Sequence, residues 1–169
     1  EDTALTLWRK LTAAGRLLLA EMYPQIAAGR APRVPQDHSL ATTFGRRRPA
    51  DGLIDWSRPA WEVYNLIRAV THPFPGAFTF WGDRRIFLWL ALPPREGEAQ
   101  GSPGTVLGIG EGGALRVATG HGVLEVAGLQ PEGGPEQDGS SFLNSIGRHS
   151  NTRFTSPALQ AAGDRGRRA

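Results

Sequence analysis

Two hydrophobic periods succeed one another along the chain: helical spacing first, strand alternation later. Ala4, Leu7, Trp8, Leu11, Ala14, Gly15, Leu18, Met22 and Ile26 fall on one helical stripe,. They predict a helix from Asp2 to Ala28, capped by Asp2 or Thr3 and stopped by Gly29, with Pro24 as a place to kink or end early. An apolar stripe of this length needs a cover, and the segment that follows is not apolar. The helix is therefore expected to be the last of a preceding domain, and its exposed face to favour docking on the barrel or pairing with a second copy.

Residues 29–53 lose all periodicity. Pro32, Pro35 and Pro49 interrupt regular structure, and Gly45 and Gly52 loosen it,. Such length suits a domain connector better than an internal loop. A second helix is expected from about Pro59 to Val70, with Val63, Leu66, Ile67 and Val70 on its apolar face and Ser57 available to its first turn. His72-Pro73-Phe74-Pro75-Gly76 ends it. Five strands are then expected: Ala77–Trp81, Arg85–Leu92, Thr105–Ile109, Leu115–Thr119 and Val123–Leu129. Gly82-Asp83 reads as a hairpin turn between the first two.

Five closely spaced strands with glycine turns favour a closed barrel over an open sheet with long unpaired edges. The expected fold is mainly β with flanking helices: a small five- to six-stranded OB-like barrel preceded by an isolated helix and a linker. The expected domains are the helix at 1–28, a basic linker at 29–53, the barrel with its leading helix at 54–130, and a partly disordered tail at 131–169. Within that tail Phe142, Leu143 and Ile146 offer one docking turn, and 163–169 is expected to be disordered.

Composition narrows the possibilities without naming a function. The 169 residues are 40% hydrophobic, enough for a core,. No run of eighteen apolar residues is present, so no membrane span is expected, and the acidic start is unlike a secretory signal. The absence of Cys removes thiolate zinc sites and Cys nucleophiles, and accords with a cytoplasmic location,. Net charge is a mild +3, but Lys10 is the sole lysine. Arg suits planar recognition of carboxylate and phosphate. The excess also follows from a composition rich in Ala, Gly, Pro and Arg.

A search for chemistry finds no catalytic constellation and no metal site. His38, His72, His121 and His149 sit in loop-like stretches without ligand spacing. Gly108-Ile109-Gly110-Glu111-Gly112-Gly113 lacks the following helix that would place its N-terminus at a pyrophosphate, so it reads as a hairpin turn. The candidate binding residues are Arg46, Arg47 and Arg48, with Phe44, Trp56 and Trp61 nearby in sequence. Clustered Arg beside aromatic residues suits nucleic-acid or nucleotide phosphates. A solvated linker is the plainer reading. Phe78, Phe80, Phe87 and Trp89 alternate along two strands, which allows a stacking surface, but core packing is the expected reading unless exposure is shown.

Several stretches resemble the folate-dependent formyltransferases. Glu1-Asp2-Thr3-Ala4-Leu5-Thr6-Leu7-Trp8-Arg9-Lys10-Leu11 resembles the last helix of their transferase domain. Ile54-Asp55-Trp56-Ser57 resembles their linker-to-barrel junction, and Ile67-Arg68-Ala69-Val70-Thr71-His72-Pro73-Phe74-Pro75-Gly76-Ala77-Phe78 their helix-to-first-strand signature. Gly104-Thr105-Val106-Leu107 and Leu124-Glu125-Val126 look like closing strands.

The resemblance implies a parent enzyme that moves a formyl group from 10-formyltetrahydrofolate to a primary amine. It also implies an N-terminal Rossmann-like transferase domain as partner, holding the catalytic Asn, His and Asp and a Ser-Leu-Leu-Pro stretch. Asn65, Asn144 and Asn151 have no His two positions on, so no catalytic residue carries over, and the fragment is expected to be inactive and to bind no cofactor itself. His72-Pro73-Phe74-Pro75 and Phe44-Gly45-Arg46-Arg47-Arg48-Pro49 look closer to the enzymes that formylate an amino-sugar nucleotide. Methionyl-tRNA formyltransferase, with this domain helping to hold tRNA, is the alternative.

Overall fold

The computed structural model describes residues 2–94, 101–147 and 152–157. The chain divides into two compact units, Glu1–Arg48 and Pro49–Ala169, at a point inside the expected linker.

The first unit is built on α1, Ala4–Ala27. Thr3 and Thr6 form a reciprocal capping box, each side chain accepting from the other's backbone N–H,. Asp2 accepts from the Thr6 hydroxyl and pairs with Lys10 at 2.9 Å, so its carboxyl sits below the ordinary carboxylate range, the Lys10 bond being the larger cause. At the other end Gly29 takes φ +67°. Its N–H donates to Ile26 and that of Arg30 to Gln25, the paired pattern that closes a helix through a left-handed glycine,. Pro24 lies inside the helix without ending it. No residue of α1 is buried.

The second unit starts with a 3-10 turn at Pro49–Gly52, then α2, Ala60–Val70. Its apolar positions Ala60, Val63, Tyr64, Ile67 and Val70 are buried. The expected contribution of Ser57 to the first turn is replaced by backbone. The Ala60 N–H donates to the His121 carbonyl, while Ser57 itself is held by the Asp55 carboxylate. The Gly120 turn lies so close to this segment that a Cβ there would overlap the Ser57 carbonyl.

The five strands are β1, Ala77–Trp81, β2, Arg84–Leu92, β3, Val106–Ile109, β4, Leu115–Ala118, and β5, Val123–Pro131. They pair antiparallel in the order β1-β2-β5-β4-β3. Gly82-Asp83 makes the two-residue turn expected of it, with Trp81 opposite Arg84. The glycine run after β3 also forms a hairpin turn, with its 3-10 turn at Glu111–Gly113.

Such a sheet has two edges, β1 and β3, and one further segment meets both. Phe80 and Thr155 exchange backbone hydrogen bonds of 3.0 and 2.8 Å. Val106 N–H donates to Thr152, and Phe154 N–H to Gly104. Residues 152–156 thus close the barrel as a short sixth stave, which satisfies the backbone groups an open edge would leave. The preceding stretch supplies α3, Gly139–Ser145, with Asp138 as N-cap. Its carboxylate accepts from the Ser141 N–H, which holds its pKa below the ordinary value. Described residues 138–147 and 152–157 thus supply a helix and a stave that their composition does not suggest, each too short to show a period. The expectation for 163–169 lies outside the described residues.

The core fills the barrel: Ile54, Val63, Ile67, Ile86, Leu88, Leu115, Val117, Leu124, Val126 and Leu129 are buried together. One end is plugged by aromatic rings. Trp56 stacks on Phe154 at 5.8 Å, and Phe142 leans on Phe154 at 6.1 Å and on Trp81 at 6.3 Å. Each such pair adds roughly 0.5–1.5 kcal/mol beyond the area it buries.

Candidate functional site

The pleat of β1 and β2 sends Thr79, Ile86 and Leu88 inward, all fully buried. Their neighbours Phe78, Phe80, Arg85, Phe87 and Trp89 therefore face outward, where each is half-buried,. The antiparallel register sets Phe78 opposite Phe87 and Phe80 opposite Arg85. The result is a continuous aromatic surface on the outside of the barrel.

The rings are in contact along its length. His72 stacks on Trp89 at 3.8 Å, and Trp89 on Phe87 at 5.6 Å, both pairs within 16° of parallel. Phe87 meets Phe78 at 6.3 Å, and Phe78 meets Phe80 edge-on at 5.9 Å. Polar groups hold the margin. Trp89 Nε1 donates to Gln130 at 2.9 Å, and Gln130 donates in turn to the Gly134 carbonyl. His72 Nε2 lies 3.4 Å from the Glu136 carboxylate. Thr71 fixes the Trp89 backbone by donating to its carbonyl.

Beside the rings is a cavity of about 320 Å³ lined by Pro49, Ala50, Pro75, Phe78, Arg85 and Phe87. The Arg85 guanidinium lies over Phe78 at 5.0 Å, with Phe80 and Phe87 each at 5.9 Å. A cation at that distance is attracted by the ring quadrupole. Arg85 Nη1 also meets Glu132 at 3.2 Å.

Among the described residues the arrangement holds no nucleophile beside a base and no enclosed acid pair. Among the described residues no group of three metal-ligating side chains is gathered, and no helix is long and apolar enough to cross a membrane.

The residues singled out by sequence fall in different places. Arg46, Arg47 and Arg48 lie in the exposed irregular stretch that ends the first unit. Trp56 is buried in the core, whereas Trp61 is exposed and packs edge-on against Tyr64. Phe78, Phe80, Phe87 and Trp89 share a face, and that face is the outer one rather than the core expected for it, because Thr79, Ile86 and Leu88 take the inner side. His38 and His121 are exposed, and His149 lies outside the described residues. Sequence reasoning missed Arg85. Its signal was its phase: Arg85 is two residues from Phe87 and four from Trp89, so it had to share their side of the strand.

The fold has solved counterparts. HypX from Aquifex aeolicus in complex with tetrahydrofolic acid superposes with a TM-score of 0.53 at 19% identity, over 76% of this chain and 22% of that one. Two variants of HypX give TM-scores of 0.53 and 0.52 at 18% identity, over the same shares of each chain. The chain thus spans about a fifth of the length of these structures, and at this identity the likeness concerns the fold. Residues 47–147, more than half the chain, match the formyl transferase C-terminal domain, and the chain belongs to that family.

Proposed function

We propose that this chain is the non-catalytic C-terminal part of an enzyme that transfers a formyl group from 10-formyltetrahydrofolate to a primary amine, with an amino-sugar nucleotide as acceptor. The observation that carries the proposal is the family match over residues 47–147 to a domain of this kind. The acceptor rests on His72-Pro73-Phe74-Pro75 and on the Phe44–Pro49 stretch, which look closer to the sugar-directed enzymes than to the tRNA-directed ones. In this reading α1 belongs to the transferase domain, which supplies the catalytic residues, and the whole enzyme works in the cytoplasm. The exposed apolar residues Leu7, Trp8 and Leu11 are then a contact surface for that domain,. Pairing of two fragments through that face would follow from its loss.

A second reading, with tRNA as substrate, is favoured by the exposure of Arg46, Arg47 and Arg48. Phosphate contacts from these residues would give an affinity that falls steeply with salt. The two readings separate in one assay of the full-length enzyme with 10-formyltetrahydrofolate. Formylation of an amino-sugar nucleotide and not of charged initiator tRNA is the expected result. Turnover of the tRNA alone overturns the sugar assignment, and turnover of neither amine overturns both.

A further inference from the structure

Among the described residues Arg85 is the one charged side chain in the wall of the outer cavity, and its hydrogen bonding is incomplete. Glu132 takes Nη1 through a 3.2 Å contact, and that carboxylate is itself more than half exposed. Nε is buried and has no acceptor among the described residues. Glu132 meets Nη1 of the guanidinium, and Arg85 lines the cavity, where a guanidinium suits a carboxylate or phosphate. The remaining wall is apolar and built of flat surfaces: two prolines, an alanine and two phenylalanine rings.

These features select a ligand class. A cation is opposed by Arg85. A neutral polyol would give up hydrogen bonds to water and find only one donor in return. A ring with an anionic substituent satisfies both halves of the site. We propose that the cavity over β1 and β2 binds a planar ring carrying an anionic oxygen group, carboxylate or phosphate. The ring lies against Phe78 and Phe87, and the anion pairs with the guanidinium of Arg85. The volume of about 320 Å³ is at the small end of ligand sites, suited to one ring and its substituent,. Glu132 acts as a competitor for the guanidinium. This site goes beyond the formyl transfer proposed above and is independent of which amine is the acceptor.

The test is calorimetric titration of the whole 169-residue chain with 4-hydroxybenzoate and with uridine monophosphate. 4-Hydroxybenzyl alcohol and uridine serve as the partners without the anion. At least one anionic probe is expected to bind, and which one does so distinguishes a carboxylate ligand from a phosphate ligand. Its uncharged partner should bind at least about tenfold more weakly, since hydrogen bonds to a charged group are among the stronger ones. R85Q should lose binding to a similar degree, and F87L should weaken it.

Glu132 is exposed, so E132Q should keep the fold; near-ultraviolet circular dichroism checks this for each variant. E132Q should bind the anionic probe more tightly, because it removes the competing charge. A merely structural pair would not give opposite signs for R85Q and E132Q. Absence of binding by both anionic probes, equal binding of the uncharged partners, or an E132Q variant that binds no better overturns the proposal. Because the readout is binding rather than turnover, its failure leaves the formyltransferase reading intact.

Discussion

Thr79 is a polar residue among the fully buried side chains of the barrel, and each side of its hydroxyl is used. It accepts from Trp56 Nε1 at 2.9 Å and donates to the Thr155 carbonyl at 3.0 Å. The bond to Trp56 ties the segment before α2 to β1, and the bond to Thr155 ties β1 to the closing stave. Valine has the same shape without the hydroxyl. Thr79→Val would leave the Trp56 indole N–H unpaired in the interior, at about 1–3 kcal/mol, while the Thr155 carbonyl keeps the Phe80 N–H. Thr79→Ser keeps both bonds and loses only a methyl group, at about 1 kcal/mol. Urea unfolding followed by tryptophan fluorescence should therefore rank wild type, Ser and Val in that order. A Val variant as stable as wild type would mean that the hydroxyl is not what joins the three segments.

At the scale of elements, periodicity made most of the barrel legible. Alternation located all five strands, and helical spacing located α1 and α2 to within two residues at each end. It left the side of the aromatic stripe open, for a physical reason. Period two fixes that Phe78, Phe80, Phe87 and Trp89 share a face, and equally that Thr79, Ile86 and Leu88 share the other. The choice between the faces is made by α2 and the closing stave, which are not part of either strand.

The closing stave itself escaped notice because its inward positions are Thr152, Phe154 and Ser156, a single strong hydrophobe between two hydroxyls. Ser156 donates to the Ile54 carbonyl, so this hydroxyl too is spent on holding the segment in place. Phe154 is 2% exposed and in ring contact with both Trp56 and Phe142. Phe154→Ala should cost about 3–5 kcal/mol in denaturant unfolding, the range for a buried phenylalanine. A cost under about 0.5 kcal/mol, as for an ordinary surface change, would show that the barrel does not need this segment.

For the whole molecule the decisive feature is where the chain divides, between Arg48 and Pro49. Proteolysis of a folded chain needs a locally open stretch, and basic sites inside hydrogen-bonded elements are protected until those elements open. Arg58 pairs with Glu62 at the start of α2, Arg68 lies in α2, Arg84 and Arg85 in β2, and Arg116 in β4. Arg46 and Arg47 lie in an exposed stretch with no such protection, and Pro49 shields the bond after Arg48. Brief trypsin treatment should therefore cut after Arg46 or Arg47 while the bonds after Arg58, Arg68, Arg84, Arg85 and Arg116 survive. Mass spectrometry should find a fragment that starts at Arg47 or Arg48 and carries the barrel. Purified, that fragment should unfold in one cooperative step at the midpoint of the intact chain's main transition, because every residue of the buried core belongs to the second unit. First cuts after Arg58, Arg68, Arg84, Arg85 or Arg116, or a fragment without a cooperative transition, would mean that the barrel depends on residues 1–48 for its stability.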